Sequence, residues 1–127
     1  MKTLCELMAL EVLPTVRALV AKRLVETHGL SQQVAADRLG TSQPAISQYK
    51  RDIRGYKSSI ILEDHELVAI IDSIARRIAS SEISQQEAAM EFCDICRHMR
   101  RSGAACELHR KINPSLQSCS ICDKLKC

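Results

Sequence analysis

Apolar residues along this chain recur at intervals of three and four, the spacing of one face of an α-helix, and strand-like alternation never persists beyond a few residues. The first such segment runs from about Pro14 to His28 and is followed by Gly29. Proline is favoured in the first turn of a helix and glycine just after its last turn. We therefore predict a helix between Pro14 and His28, and an all-α fold for the chain.

Two shorter helices are predicted on either side of Gly40. Ser31 is a typical N-cap for the first helix, and Ser42 begins the second, which ends near Arg54. Residues 55–62 are predicted as a linker or a short turn.

A heptad-like stripe follows from Glu63, with apolar residues at steps of four, three and four: Leu67, Ile71, Ile74 and Ile78. This stripe is the best candidate for a dimer seam, and packing onto the chain's own first helix is a comparable explanation. Another helix is predicted from its cap Ser84 to Gly103. Residues 104–127 show no clear period.

The net charge and the predicted cellular compartment limit which partners and which cysteine chemistry are expected. The 18 Lys and Arg against 15 Asp and Glu give a mild net charge of +3, which does not by itself indicate a polyanionic partner. The chain has no run of 18 apolar residues and no segment of signal-peptide form, so we predict a cytoplasmic protein. In that reducing compartment its seven cysteines indicate a metal site or redox chemistry in preference to disulfides.

The stretch around Gly40 has the spacing that two steeply packed helices require. Ala36 is small enough to face a second helix, Gly40 can make the turn, and Ile46 can fill the space between the helices. Leu30 to Lys50 resembles the helix-turn-helix of the phage-repressor and Cro type, in which "SQ" opens the supporting helix and "TSQ" opens the recognition helix. A helical hairpin with solvated glutamines is the alternative.

This resemblance implies DNA contacts at particular positions. It implies that Gln43 reads a base, that Gln48 can make a second contact, and that Gln32 binds a phosphate. The remaining candidates are Ser42, Tyr49 and Lys50, with Tyr49 and Lys50 as phosphate neighbours. Pro44 departs from the polar residue common at its position.

Six cysteines lie within the last 35 residues, and two pairs of them have the CxxC spacing: Cys93, Cys96, Cys106, Cys119, Cys122 and Cys127. The two CxxC pairs can together close a four-sulfur site, and Cys106 can replace one of the four. Thiols beyond those that one structural zinc needs favour an iron–sulfur cluster of the 4Fe-4S type, with zinc as the alternative. Cys5 is interpreted as a buried residue of the first helix, although folding could bring it near the site, and Cys127 is interpreted as a spectator. His98 and His109 are possible ligands, but their basic surroundings favour exposed side chains.

A wider resemblance covers nearly the whole chain. The segments "CDIC", "GAACELH" and "CSIC", with the helix-turn-helix, are similar to a family of archaeal predicted transcriptional regulators. The resemblance implies a regulator of transcription.

Together these features predict two regions and one function. Residues 1–57 are predicted to form a helix-turn-helix DNA-binding domain, and residues 58–127 a helical dimerisation segment with a cysteine-rich metal-binding region. The predicted function is sequence-specific binding of double-stranded DNA by a homodimer, controlled by an iron–sulfur cluster. No catalytic constellation is visible, so no enzyme is predicted. The alternatives are a DNA-binding regulator with a purely structural zinc and a metal-bearing protein-interaction module.

Overall fold

The computed structural model describes residues 4–53 and 56–112, with side chains at positions 4, 5, 50–52, 56, 57 and 112 left out of the description. Every regular element in these ranges is a helix, which confirms the all-α prediction. The helices are α1 (residues 4–27), α2 (Gln32–Leu39), α3 (Gln43–Asp52), α4 (Tyr56–Glu63), α5 (His65–Ala79), α6 (Gln85–Ser102) and α7 (Ala104–Ile112). Among the described helices, none has both the length and the apolar character needed to cross a membrane.

Helix α1 begins ten residues before Pro14, so its start was predicted too late. It contains two five-residue π-helical stretches, Met8–Val12 and Arg23–Thr27. Met8 and Val12 are each 1% exposed, and their burial extends the apolar face towards the N-terminus. Pro14 is tolerated because it lies in the first turn of the α-helical segment that follows the first π-helical stretch.

The helix boundaries around the central turns were predicted correctly. The Ser31 and Ser84 hydroxyls accept hydrogen bonds from the backbone N–H groups of Val34 and Glu87, respectively. Gly40 and Gly103 both adopt the left-handed conformation that ends a helix.

Two helices were missed, because short segments carry too few turns to display a period. Residues 56–63 form α4, although a linker or turn was predicted for residues 55–62. Ala104–Ile112 forms α7 where no period was visible. Each helix is stabilised by burying apolar residues in the core, as Ile61 and Leu108 do with 0% exposure.

The stripe on α5 is part of the core of a single chain. Its four residues, Leu67, Ile71, Ile74 and Ile78, are at most 3% exposed. They are buried because α5 packs against α1, α4 and α6. The dimer-seam interpretation of this stripe is therefore wrong, and internal packing explains the pattern.

One apolar cluster includes buried residues from all seven described helices. Helix α1 contacts α3 and α5, α2 packs against α3, and α6 packs against α5 and α7. This arrangement places α2 beside the end of α5 and the start of α6.

Candidate functional site

Helices α2 and α3 and the turn between them form a two-helix unit, residues 32–52. Ala36 is fully buried and Ile46 is 4% exposed, while Leu39 packs against the same core. Gly40 has a φ of +69°, which only glycine adopts without strain. The small residue, the turn glycine and the aliphatic residue therefore have the burial and conformation expected from their spacing.

Three polar side chains join the beginnings of the two helices. Gln32 Oε1 accepts a hydrogen bond of 3.2 Å from Gln43 Nε2 and another of 3.0 Å from Ser47 Oγ. Gln43 and Ser47 are exposed, whereas Gln32 is half-buried. Two of the residues chosen from the sequence, Gln32 and Gln43, are thus in direct contact on one polar surface.

The other sequence-predicted residues of this unit have different surroundings. Ser42 is exposed, and its hydroxyl accepts a hydrogen bond of 3.3 Å from the backbone N–H of Ala45, so it caps α3. Gln48 is exposed. Tyr49, which was predicted to be a phosphate neighbour, is half-buried and packs against the core. Lys50 belongs to α3, and its side chain lies outside the described residues.

The C-terminal end of α2 is tied to the turn between α5 and α6. Arg38 Nη1 donates hydrogen bonds of 2.8 and 2.7 Å to the carbonyls of Ile78 and Ala79 at the end of α5. Gln85 Nε2, at the start of α6, donates one of 2.7 Å to the carbonyl of Asp37. A cation at a helix C-terminus is favourable because the last carbonyls carry partial negative charge. No local sequence signal indicates these bonds, because they join residues 40 or more positions apart.

The cysteines of α6 lie one helical turn apart. Cys93 is exposed, and Cys96 is half-buried and packs against the core. Residues three apart on a helix are neighbours, so both thiolates can approach one metal centre. Cys106, on α7, is 8% exposed.

A complete metal site cannot be assembled from the described residues. In residues 4–53 and 56–112 no three His, Cys, Asp or Glu side chains are grouped so that they could hold a metal ion. Cys119, Cys122 and Cys127 lie outside the described residues. The pair Cys93 and Cys96 fits half of a four-sulfur site, and the predicted partners Cys119 and Cys122 would have to supply the rest.

His98 is half-buried, so the prediction that it is exposed was wrong. Its Nε2 lies 2.8 Å from Asp64 Oδ2. Asp64 also caps α5 by accepting a hydrogen bond of 3.1 Å from the N–H of Leu67. Burial raises the pKa of Asp64, but the hydrogen bonds from His98 and from Leu67 outweigh that effect and lower the pKa below its ordinary 3.8.

His109 is only 9% exposed, which also contradicts the sequence prediction. Within the described part of the chain, its buried Nε2 has no hydrogen-bond partner. Burial, followed by the nearby charge of Arg100, lowers the pKa of His109 and favours the neutral ring.

The chain matches no protein-family model, no curated protein and no solved structure. The likeness to archaeal regulators and to the phage-repressor unit therefore stays a prediction from the quoted motifs.

Proposed function

We propose that this protein is a sequence-specific DNA-binding transcriptional regulator that uses α3 to read the major groove. The observation that carries this proposal is the contact of Gln32 with Gln43 and Ser47 on the polar surface of a two-helix unit. A unit with this surface and a buried Ala36 and Ile46 has the features that a helix-turn-helix requires.

The hydrogen bond with Gln32 holds the Gln43 side chain at the start of α3, where it could contact a base. Gln43 is the first residue of α3, and the N-terminal residues of a recognition helix are the ones that reach base edges. A glutamine amide can pair with adenine through two hydrogen bonds. Holding its side chain against Gln32 before binding reduces the conformational entropy that binding costs.

The neighbouring helix start would contact the DNA backbone. Gln32 is the first residue of α2, and the N-terminal N–H groups of a helix favour phosphate. The protein would therefore bind with α2 against a phosphate and α3 in the groove.

A homodimer is part of the proposal. One recognition helix reads only a few base pairs, and two helices about one turn of DNA apart give useful specificity. The α5 stripe is buried, so a different surface would join the two copies. Large apolar side chains exposed in the described residues are Leu10, Val34, Leu62 and Met90.

Control by a metal centre is the second part of the proposal. Cys93, Cys96, Cys119 and Cys122 would hold an iron–sulfur cluster, with Cys106 as a further candidate. Such a cluster would supply sensitivity to oxidation. Helix α6 carries Gln85 at its start and the thiol of Cys93 eight residues later, roughly 12 Å along the helix axis. A movement of α6 at the cysteines would therefore change the hydrogen bond between Gln85 and the carbonyl of Asp37.

The test starts with anaerobically purified protein and a random-sequence DNA duplex library. We expect the protein to enrich one sequence and to bind it with an affinity that falls steeply with salt. We also expect a brown protein whose colour bleaches in air, together with a change of at least ~10-fold in affinity for the enriched sequence, or about 1.4 kcal/mol of coupling.

Two results would contradict the proposal in separable ways. Failure to enrich any sequence would remove the DNA-reading role. A colourless protein with one tightly held zinc and air-insensitive binding would leave a DNA reader whose cysteines are structural.

A further inference from the structure

A cavity of about 350 Å³ lies beside the turn of the two-helix unit. Helices α1, α2, α3 and α6 each contribute to its wall, together with the turn itself. The lining residues are Arg17, Leu39, Gly40, Thr41, Tyr49 and Phe92. Arg17 and Gly40 are exposed, so the cavity opens to solvent. Its volume lies at the lower end of the range of about 300–1,000 Å³ that is usual for small-molecule sites.

The charge on the wall of this cavity favours an anion. Arg17 is the charged residue among those that line it, and no Asp or Glu lines it with Arg17. Within residues 4–53 and 56–112, no ion pair engages the Arg17 guanidinium. A guanidinium presents its N–H donors in a planar fork that matches the two oxygens of a carboxylate. One cation balances one negative charge, so a ligand with a single carboxylate fits best.

The rest of the wall favours a flat, apolar body. The chain has two tyrosines, one phenylalanine and no tryptophan, and two of these three aromatic residues, Tyr49 and Phe92, line this cavity. Aromatic side chains attract another ring by offset stacking and by edge-to-face contacts. Leu39 adds apolar surface, and Thr41 brings a hydroxyl group that can donate or accept a hydrogen bond. An aromatic carboxylate combines these properties.

Tyr49 links the cavity to the surface that is proposed to read DNA. It lies half-buried on α3, and it also lines a second cavity of about 60 Å³ between α1 and α3. Gln32 lines this smaller cavity as well, and its Oε1 accepts the hydrogen bond from Gln43. Close packing fixes a side chain in place, and a ring that borders a cavity on two sides has fewer contacts to fix it. A ligand that moves Tyr49 would therefore disturb Gln32 and, through it, Gln43.

We propose that the larger cavity binds a small aromatic carboxylate, with the carboxylate paired to Arg17 and the ring against Tyr49 and Phe92, and that this binding weakens binding to DNA. The effect on DNA rests on the DNA-binding part of the proposed function. Occupation of the cavity does not, so the two are tested separately.

The first experiment is equilibrium dialysis of the full-length protein against cinnamate, an aromatic carboxylate, and against cinnamamide, its uncharged counterpart. We expect one saturable site per chain for cinnamate, with an affinity at least ~10-fold above that for cinnamamide. Arg17→Gln should lower the affinity for cinnamate by at least ~10-fold and should still fold, because Arg17 is exposed. Arg76→Gln, at an exposed arginine of α5, is the matched control and should bind cinnamate as wild type does.

Three results of the dialysis would overturn the proposal. Absence of saturable cinnamate binding would remove the site and leave the DNA-reading role intact. Equal affinity of wild type and Arg17→Gln for cinnamate would place the ligand elsewhere. Hexanoate, an aliphatic carboxylate, should bind at least ~5-fold more weakly than cinnamate, and equal affinity for the two would contradict the role of the rings.

The second experiment measures DNA affinity by fluorescence anisotropy with the selected duplex, with and without saturating cinnamate. We expect cinnamate to weaken DNA binding by at least ~10-fold in wild type and in Arg76→Gln, and to have no effect in Arg17→Gln. Unchanged or tighter DNA binding in wild type would overturn the regulatory half of the proposal.

A direct role of Arg17 in DNA binding is the competing explanation for its charge. If Arg17→Gln weakens binding to selected and random duplexes alike, and cinnamate does not bind, then Arg17 contacts a phosphate and the proposal is overturned. If the protein selects no DNA sequence at all, the regulatory half fails together with the proposed function, and the dialysis alone decides whether the cavity binds an aromatic carboxylate.

Discussion

The side-chain amide of Gln85 donates a hydrogen bond of 2.7 Å to the backbone carbonyl of Asp37. This bond joins the first residue of α6 to the last turn of α2, across 48 positions of sequence. It also sets the space around Gly40, because a β-carbon at that position would lie 3.0 Å from Gln85 Oε1. The turn of the two-helix unit is therefore shaped by α6 as well as by its own backbone.

Gly40→Ala should destabilise the protein more than Gly29→Ala does. The two glycines have almost the same φ, +69° and +70°, so both substitutions carry a left-handed strain of about 1–2 kcal/mol. Only at position 40 would the added β-carbon meet another side chain. Urea denaturation gives both free energies of unfolding. When Gln85 is also replaced by alanine, Gly40→Ala should lower the free energy of unfolding no more than Gly29→Ala does. If Gly40→Ala still costs more in that background, the Gln85 side chain is not the cause of the difference.

Gln43→Ala should reduce affinity for the selected DNA site by roughly 1–3 kcal/mol and leave binding to random duplex nearly unchanged. The matched control is Gln86→Ala, an exposed glutamine in the first turn of α6. Fluorescence anisotropy titrations with both duplexes measure the two losses. Equal losses on specific and random DNA would remove Gln43 from base reading.

Ile74→Asp should unfold the protein, because it puts a carboxylate at a fully buried position of the core. Leu10→Asp makes the same chemical change at a residue that is 57% exposed, and we expect that variant to stay helical by circular dichroism. A folded Ile74→Asp protein would contradict the internal packing of α5. Size-exclusion chromatography of that variant would then test whether α5 joins two copies.

The sequence predicted the helix that carries the α5 stripe but could not decide what the stripe packs against. Local signals located the helix around Leu67 and the caps at Ser31 and Ser84, because capping and periodicity depend on neighbouring residues. The same signals could not say what the stripe packs against, since a seam between two copies and a core within one chain require identical apolar spacing. That choice depends on how α1 and α6 are arranged in space.

In the candidate site, too, the features that depend on neighbouring residues were predicted and those that depend on tertiary structure were not. The spacing of Ala36 and Gly40 predicted the two-helix unit, and position matching selected Gln43. The burial of His109 was not predictable, because α7 has only nine residues and its basic last turn resembles a solvated segment. The bond between Gln85 and Asp37 was equally hidden, since it depends on tertiary structure alone.

Asp64→Asn should reduce the acid sensitivity of folding. The pKa of Asp64 is lowered in the folded protein, so its carboxylate contributes stability that is complete above the ordinary value of 3.8. That contribution is lost as the pH falls below 3.8 through the folded pKa. Asparagine is as good an N-cap as aspartate, so the variant removes the charge and keeps the cap.

The measurement for Asp64 is urea denaturation at a series of pH values from neutral down to about 2. We expect the variant to lose less stability than wild type below pH 3.8, with Glu26→Gln, at an exposed position, as the control. Parallel curves for the Asp64 variant and wild type would show that the ion pair with His98 does not contribute.

Ser81→Gly should stabilise the protein by about 0.5–1 kcal/mol. Ser81 follows α5 with a φ of +61°, a conformation that costs a residue with a β-carbon more than it costs glycine. Its neighbour Ser80 has a φ of −86°, so Ser80→Gly should give no such gain. Thermal unfolding of the two variants compares them directly. A lower melting temperature for Ser81→Gly than for wild type would contradict the strain argument.

The two bonds from Arg38 to the final carbonyls of α5 bear on how this unit could be moved between proteins. If residues 32–52 alone were transplanted into another protein, the Arg38 guanidinium would lose the two carbonyls, of Ile78 and Ala79, to which it donates. The minimal portable block therefore also contains α5 and the beginning of α6, together with α1, which packs against both α3 and α5. Chimeras that contain this whole block would keep the orientation of α2 and the polar surface formed by Gln32, Gln43 and Ser47.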